Sequence, residues 1–212
     1  MRKGYLLIAL CLLSTNKVLK AQTKPISYEF QTGINISTMK DKLNKSDWGV
    51  GMYSKGLVDF KVAPHFNIAT GLGYRFEQFN SKRGFTYQTN DGYDFQEVGV
   101  THLKRHWLDV PILFKGNIYL NESNKFELYV GPQISMLLGG SGRDVTTGEV
   151  YKMKPDVFKD RLDYSLNFGA SYVYDEKWSF SVNYGLGLKN DAPTKDLGET
   201  TRNISIGAGY KF

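Results

Sequence analysis

An all-β fold, eight antiparallel strands closed into an up-and-down transmembrane β-barrel, is what this sequence predicts, and three observations predict it. Segments in which apolar residues alternate with small or polar ones recur along the whole chain, as they do in strands with two unlike faces. The 212 residues include 22 Gly, 14 Tyr and 13 Phe, a composition that favours strands over helices. Past the N-terminal stretch no run reaches the ~18 consecutive apolar residues of a spanning helix. Any crossing must therefore be made of strands.

The last strand, 201–212, shows the pattern most clearly. Ile204, Ile206, Ala208, Tyr210 and Phe212 lie on one side, and Asn203, Ser205, Gly207, Gly209 and Lys211 on the other. In a soluble sandwich the apolar side would be the core. In a membrane barrel it faces lipid, and the polar side lines the lumen. Ending such a strand on Phe212 resembles the signal by which barrels are recognised for insertion, so the barrel-insertion machinery is an expected partner of this strand.

The N-terminus reads as a targeting segment. Arg2 and Lys3 precede an apolar run, 5–13, and a short polar stretch ends at Ala21, the plan of a secretory signal peptide. Cleavage is expected after Ala21, leaving 1–21 as signal peptide and 22–212 as the barrel domain. Cys11 follows Leu10, where a lipoprotein signal would hold a small residue, so no lipid anchor is expected. Four basic residues (Arg2, Lys3, Lys17, Lys20) and no acidic one leave with the signal, so the net charge of +6 falls to +2. The basic balance is mostly targeting, and nucleic acid is not an expected partner. Cys11, the single cysteine, leaves as well. Disulfides and thiol chemistry are excluded from the mature chain.

Eight strands follow in order. The first spans 28–38, with Tyr28, Phe30, Thr32, Ile34 and Ile36 opposing Glu29, Gln31, Gly33, Asn35 and Ser37. After a polar link, 40–47, the second spans 48–62; Val50, Met52, Val58 and Phe60 oppose Gly51, Tyr53, Lys55, Asp59 and Lys61, with Ser54 and Gly56 interrupting the apolar side. A break at Ala63-Pro64 leads to the third, 66–79, where Ile68, Leu72, Tyr74 and Phe76 oppose Ala69, Gly71, Gly73 and Arg75. A long polar segment, 80–101, is expected to be a loop.

The fourth strand, 103–119, sets Leu108, Val110, Ile112, Phe114 and Ile118 against Asp109, Leu113, Lys115 and Asn117. Pro111 within it suggests a bulge. The fifth, 126–138, follows a tight turn at 121–124; a second long polar segment, 139–160, is again expected to be a loop. The sixth and seventh, 162–174 and 178–189, flank a turn at 175–177, and a link at 190–198 reaches the closing strand. Short and long connections alternate, so the turns gather at one end together with both termini. Barrels of this kind have periplasmic termini and long extracellular loops. Aromatics at the strand ends form two expected interface girdles. One holds Tyr28, Phe126, Tyr174, Trp178 and Phe212, the other Trp48, Phe76, Trp107 and Tyr164.

A soluble eight-stranded carrier would also alternate, but its interior must be an apolar calyx. Here the opposing side is Gly, Ser, Asn, Asp and Lys. Its charged members, Lys55, Asp59, Lys61, Arg75, Asp109, Lys115, Glu127, Asp163, Lys189 and Lys211, carry both signs. In a lumen just wide enough to be filled by side chains they are expected to pair as an internal plug, since unpaired buried charges are costly.

No catalytic, cofactor or metal site is assigned. His102 and His106 are four apart, about 13 Å on a strand, too far to share one ion. His65 sits at a turn beside Pro64. Some eight-stranded barrels modify lipid A with a His near Ser or Asp at the outer rim; His102 or His106 near Ser81 or Asp94 would approximate that, but no spacing supports it. The run Gly139-Gly-Ser-Gly142 lacks the Gly-Lys-Ser/Thr ending of a phosphate loop and reads as the start of a surface loop. Asp91 and Asp94 are weak Ca²⁺ candidates.

Three segments resemble the PorT-like outer-membrane β-barrel family of Bacteroidota. The run His106-Trp-Leu-Asp-Val-Pro-Ile-Leu-Phe-Lys115 is similar to its Y-x-E-I-P-L-L-L-K strand, and Val130-Gly-Pro-Gln-Ile-Ser135 to its G-P-x-x-S strand. The run Phe180-Ser-Val-Asn-Tyr-Gly-Leu-Gly-Leu188 is similar to its R-Y-x-x-G-L-x-N strand, with Asn183 where Arg is common. The resemblance implies an outer-membrane location with outer-membrane lipid as surroundings. Some relatives serve the type IX secretion system, and most have no assigned activity. The chain itself is expected to be a small monomeric barrel without enzyme activity, with other envelope proteins as candidate partners. The expected role is structural or interactive, through 80–101 and 139–160, where Phe85, Tyr87, Tyr93, Arg143, Lys152, Lys154 and Phe158 offer a contact surface.

Overall fold

In the computed structural model the alternating segments pair edge to edge into one sheet that closes on itself. The structure describes residues 25–40, 45–89, 92–153, 161–188 and 200–212; the expected signal peptide, Asp91, Lys154, Phe158 and Lys189 lie outside them. Ten strands follow in chain order: β1 (Ile26–Lys40), β2 (Lys45–Ser46), β3 (Gly49–Ala63), β4 (Phe66–Thr89), β5 (Gly92–Tyr119), β6 (Lys125–Asp144), β7 (Val150–Met153), β8 (Leu162–Tyr174), β9 (Trp178–Gly187) and β10 (Thr200–Lys211). Eight form the wall. β1, β3, β4, β5, β6, β8, β9 and β10 each pair antiparallel with the next, and β10 pairs back onto β1 from Glu29↔Lys211 to Lys40↔Thr200. The Phe212 amide donates to Tyr28 O at 2.8 Å, extending the seam. β2 and β7 are short additions, on β1 and β4 and on β6 respectively.

Closure removes every edge from the wall, which is what strands need where no water can satisfy their amides. The period of two then sorts the side chains. Ile34, Leu72, Val130, Phe168, Phe180 and Val182 stand exposed on the outside, while Glu29, Asp59, Lys115 and Glu127 are at most 2% exposed inside. Such a protein is inside out relative to water, and the outer face fits a bilayer. From Ile118 to Leu108 the outward side of β5 is apolar or Gly116, about 25 Å of depth at the usual strand tilt.

Four expectations need correction. Segment 80–101 is mostly not a loop: β4 and β5 continue through it as one hairpin, paired from Asn80↔His102 to Thr89↔Gly92 with a shift at Arg83/Gly84. Segment 139–160 begins as strand too, because β6 runs to Asp144 and turns back into β7; Gly139 to Gly142 are therefore strand residues. Above the bilayer both faces of a ribbon are wet, so the apolar alternation fades while backbone pairing persists. Trp107 belongs to no girdle: it is 5% exposed, in the lumen, on the same parity as Asp109. Pro111 shifts no register; the irregularity on β5 and β6 lies at His106/Trp107.

Candidate functional site

The lumen holds the densest chemistry, and it is built in layers that follow the inward positions of β5. At the short-turn end Lys115 reaches Asp59 at 2.9 Å, Glu29 at 3.2 Å and Glu127 at 3.7 Å. Lys211, from the closing strand, reaches Glu127 at 2.7 Å and Glu29 at 3.4 Å, and Lys125 reaches Glu127 at 2.9 Å. Ser179 Oγ donates to Glu29 at 2.6 Å. Three lysines thus meet three carboxylates, and the formal charge cancels. Neutrality is the condition for burying so many ions, because each unpaired one would cost several kcal/mol.

Above this layer Leu57, Ala69, Leu113 and Tyr129 form an apolar waist. The hydroxyl end of Tyr129 lies against Gly169, and that of Tyr53 against Gly207; a Cβ at either glycine would overlap the tyrosine. Next comes a small cavity of about 40 Å³, lined by Lys55, Gln133, Asn167, Asn183 and Asn203 among others. That is room for a few waters at most. The Asn183 amide donates to Asn167 at 3.3 Å, and that of Asn167 to Gln133 at 3.0 Å. Lys55 projects its ammonium 5.5 Å from the Tyr53 ring centre.

The third layer is arginine-based. Arg75 forks onto Asp109 at 2.8 and 3.2 Å and also pairs with Glu77. Arg105 reaches Glu77 at 3.0 Å, and Trp107 Nε1 donates to the same carboxylate at 2.9 Å. The Arg105 guanidinium lies 4.7 Å from the Phe79 ring centre and 5.2 Å from that of Trp107. Phe79, Leu103 and Leu137 are buried above them. Two arginines and two carboxylates again balance. Among the described residues the lumen is an ordered salt-bridge stack with an apolar waist.

The family model of the outer membrane protein beta-barrel domain matches residues 20–191. The chain belongs to that family. Solved structures similar to this outer-membrane barrel include Neisserial surface protein A, 12% identical, covering 87% of this chain and 97% of that one at a TM-score of 0.51. Ail of Yersinia pestis, in complex with the heparin analogue sucrose octasulfate, is 17% identical, covering 89% and 100% at a TM-score of 0.44. No curated protein matches the chain.

Within this outer-membrane barrel the inward charges read from sequence gather as two groups. Asp59, Lys115, Glu127 and Lys211 meet at one end, and Arg75 and Asp109 at the other. Asp163 is buried near Thr201, whose hydroxyl donates to it at 3.4 Å. Lys61 belongs to the mouth at the short-turn end, a cavity of about 560 Å³ shared with Asp59, Lys125, Lys177 and Lys211. Sequence reasoning left Glu29, Glu77 and Arg105 out of the charge set. Their signal was parity: Glu29 alternates with Tyr28 and Phe30, and Glu77 follows Arg75 by two.

The histidines face away from the lumen. His102 Nδ1 donates to Asn80 Oδ1 at 2.7 Å, and His106 Nδ1 meets the Tyr74 hydroxyl at 2.6 Å. Ser81 is buried in the lumen while His102 lies on the outer side of the wall. That pair is split by the sheet. His65 Nδ1 sits 3.2 Å from Asn117 O at a short turn.

Proposed function

We propose that this chain is a small, monomeric, non-enzymatic and non-conducting outer-membrane barrel that acts through its long-strand end. The observation that carries this reading is the pair of balanced ionic layers filling the lumen, at a strand number that leaves space only for side chains. The continuation of β4, β5 and β6 past the lipid-facing band adds a second support, since it offers paired strands where other envelope proteins or ligands can reach them. The short turns and both termini are placed in the periplasm, and the 83–99 hairpin and β7 outside the cell, following the habit of such barrels.

The resemblance of 106–115, 130–135 and 180–188 to the PorT-like family supports a narrower reading, an accessory role in type IX secretion. Deleting the gene would then reduce secretion of that system's cargo and leave unrelated secretion intact.

Two measurements test the main reading. The full-length chain in isolated outer membranes should run faster on an SDS gel unboiled than boiled, as a closed barrel does. Purified barrel in a planar bilayer should give no steady conductance; stepwise openings of a nanosiemens scale would overturn the plug.

A further inference from the structure

The outer wall of β5, β6 and β7 carries a group of exposed cations immediately above the apolar band. Register fixes their arrangement. Lys104 stands opposite Ser141, which stands opposite Lys152; one period higher, His102 stands opposite Arg143, which stands opposite Val150. Facing residues share a side of the sheet. Lys104, Arg143 and Lys152 are all exposed, and on β5 Lys104 stands between the buried Leu103 and Arg105. At a strand spacing of about 4.8 Å the three cations fall within about 10 Å of one another.

Among the described residues no carboxylate opposes them across the strands. The neighbouring outward positions are Gln78, Asn80, Ser141 and Val150, and Asp144 lies on the lumen parity, where it accepts from the Thr146 and Thr147 amides at 2.8 and 3.0 Å. Among the described residues none of the three forms a salt bridge. This contrasts with the lumen, where every lysine of the short-turn layer is matched. Below the group, Leu108, Val110, Ile112, Phe114 and Ile118 face lipid, and Leu138 continues the apolar surface on β6. The cations therefore stand at headgroup depth, where a basic cluster attracts anionic lipid.

We propose that Lys104, Arg143 and Lys152 form a site for the phosphate groups of a phosphorylated outer-leaflet glycolipid, with its acyl chains lying along the Leu108 and Leu138 side of the barrel. Arg143 supplies a planar fork for a phosphate and the two lysines supply point charges. His102 borders the site. The occupant is a lipid because the apolar wall is continuous with the cations. This site rests on the orientation given above, with β7 outside the cell.

The test uses full-length barrel in detergent and in nanodiscs. Bisphosphorylated lipid A, the same lipid enzymatically dephosphorylated, and inorganic phosphate are titrated, and bound lipid is counted by native mass spectrometry. Bisphosphorylated lipid A should bind, with dephosphorylation or the triple variant Lys104→Glu, Arg143→Glu, Lys152→Glu weakening binding on the order of 100-fold. The variant Lys177→Glu, at the opposite end, should bind as wild type. An unboiled band that still migrates fast shows that each variant is folded. The neutral variant Lys104→Gln, Arg143→Gln, Lys152→Gln serves if the reversed one does not fold. Equal binding of phosphorylated and dephosphorylated lipid, or full binding by the charge variants, would overturn the site. Competition by inorganic phosphate at equal concentration would assign it to a free anion and overturn the lipid. A cysteine at Thr146→Cys, the only one once the signal is removed, should react with an impermeant maleimide on intact cells. If it is protected while purified barrel binds lipid A normally, the orientation is wrong and the outer-leaflet assignment falls with it.

Discussion

The two ionic layers of the lumen do the same electrostatic job with different chemistry. The short-turn layer is lysine-based: Lys115 and Lys211 each touch several carboxylates, and its members come from β1, β3, β5, β6, β9 and β10. The other is arginine-based and local. Arg75, Glu77, Arg105, Trp107 and Asp109 all lie on β4 and β5, with Ser37 of β1 and Ser135 of β6 at its margin. A compact ammonium can be shared among strands converging from around a ring; a planar guanidinium forks onto carboxylates of its own and the neighbouring strand and stacks on an aromatic face. The first layer ties the barrel across its diameter. The second braces the root of the hairpin that leaves the membrane.

Removing one member of each layer separates these roles. Lys115→Met should have the largest effect, because Glu29, Asp59 and Glu127 would remain buried with, among the described residues, only Lys211 and the peripheral Lys125 as ammonium partners. A loss of about 3–5 kcal/mol is expected, read as a lower urea midpoint for the fast-migrating band. A midpoint within experimental error of wild type would mean that the layer adds nothing to closure.

Glu77→Gln should cost less, about 2–3 kcal/mol, since Arg75 keeps Asp109. Its distinctive effect is local: protease cleavage between 83 and 99 should accelerate while the barrel itself stays closed. Equal protection of that hairpin in variant and wild type would detach the arginine layer from the extension. The smallest change lies at the waist between the layers. Gly169→Ala places a methyl against the Tyr129 ring and should cost about 1–3 kcal/mol through overpacking. Gly169→Ala combined with Tyr129→Leu should recover part of it, and no recovery would show that the ring is not the obstacle.

Much of the barrel was legible because each wall strand obeys one local rule. Tyr28, Phe30 and Ile34 against Glu29, Gln31 and Asn35 announced lipid and lumen before any pairing was known. The limits of β8 came out as expected, since its turns coincide with the ends of its alternation. The rule also places Trp107 in the lumen, on the Asp109 parity, whereas its aromaticity alone suggests a girdle. Segment 80–101 defeated the rule for a physical reason. Once a ribbon has left the bilayer no face need be apolar, and backbone pairing from Lys82↔Val100 to Thr89↔Gly92 continues without any alternation in the sequence.

The sequence by itself determined the number of wall strands and the face on which each side chain stands, because a period of two is a property of single strands. Depth was decided only by the tertiary structure. Whether Lys115 meets Glu29, 86 residues away, depends on register and on closure of β10 onto β1. So does the meeting of Arg143 with Lys104 and Lys152 on one wall. Both are settled by backbone pairing between distant strands, and a strand read alone carries no mark of the height at which its neighbour will lie.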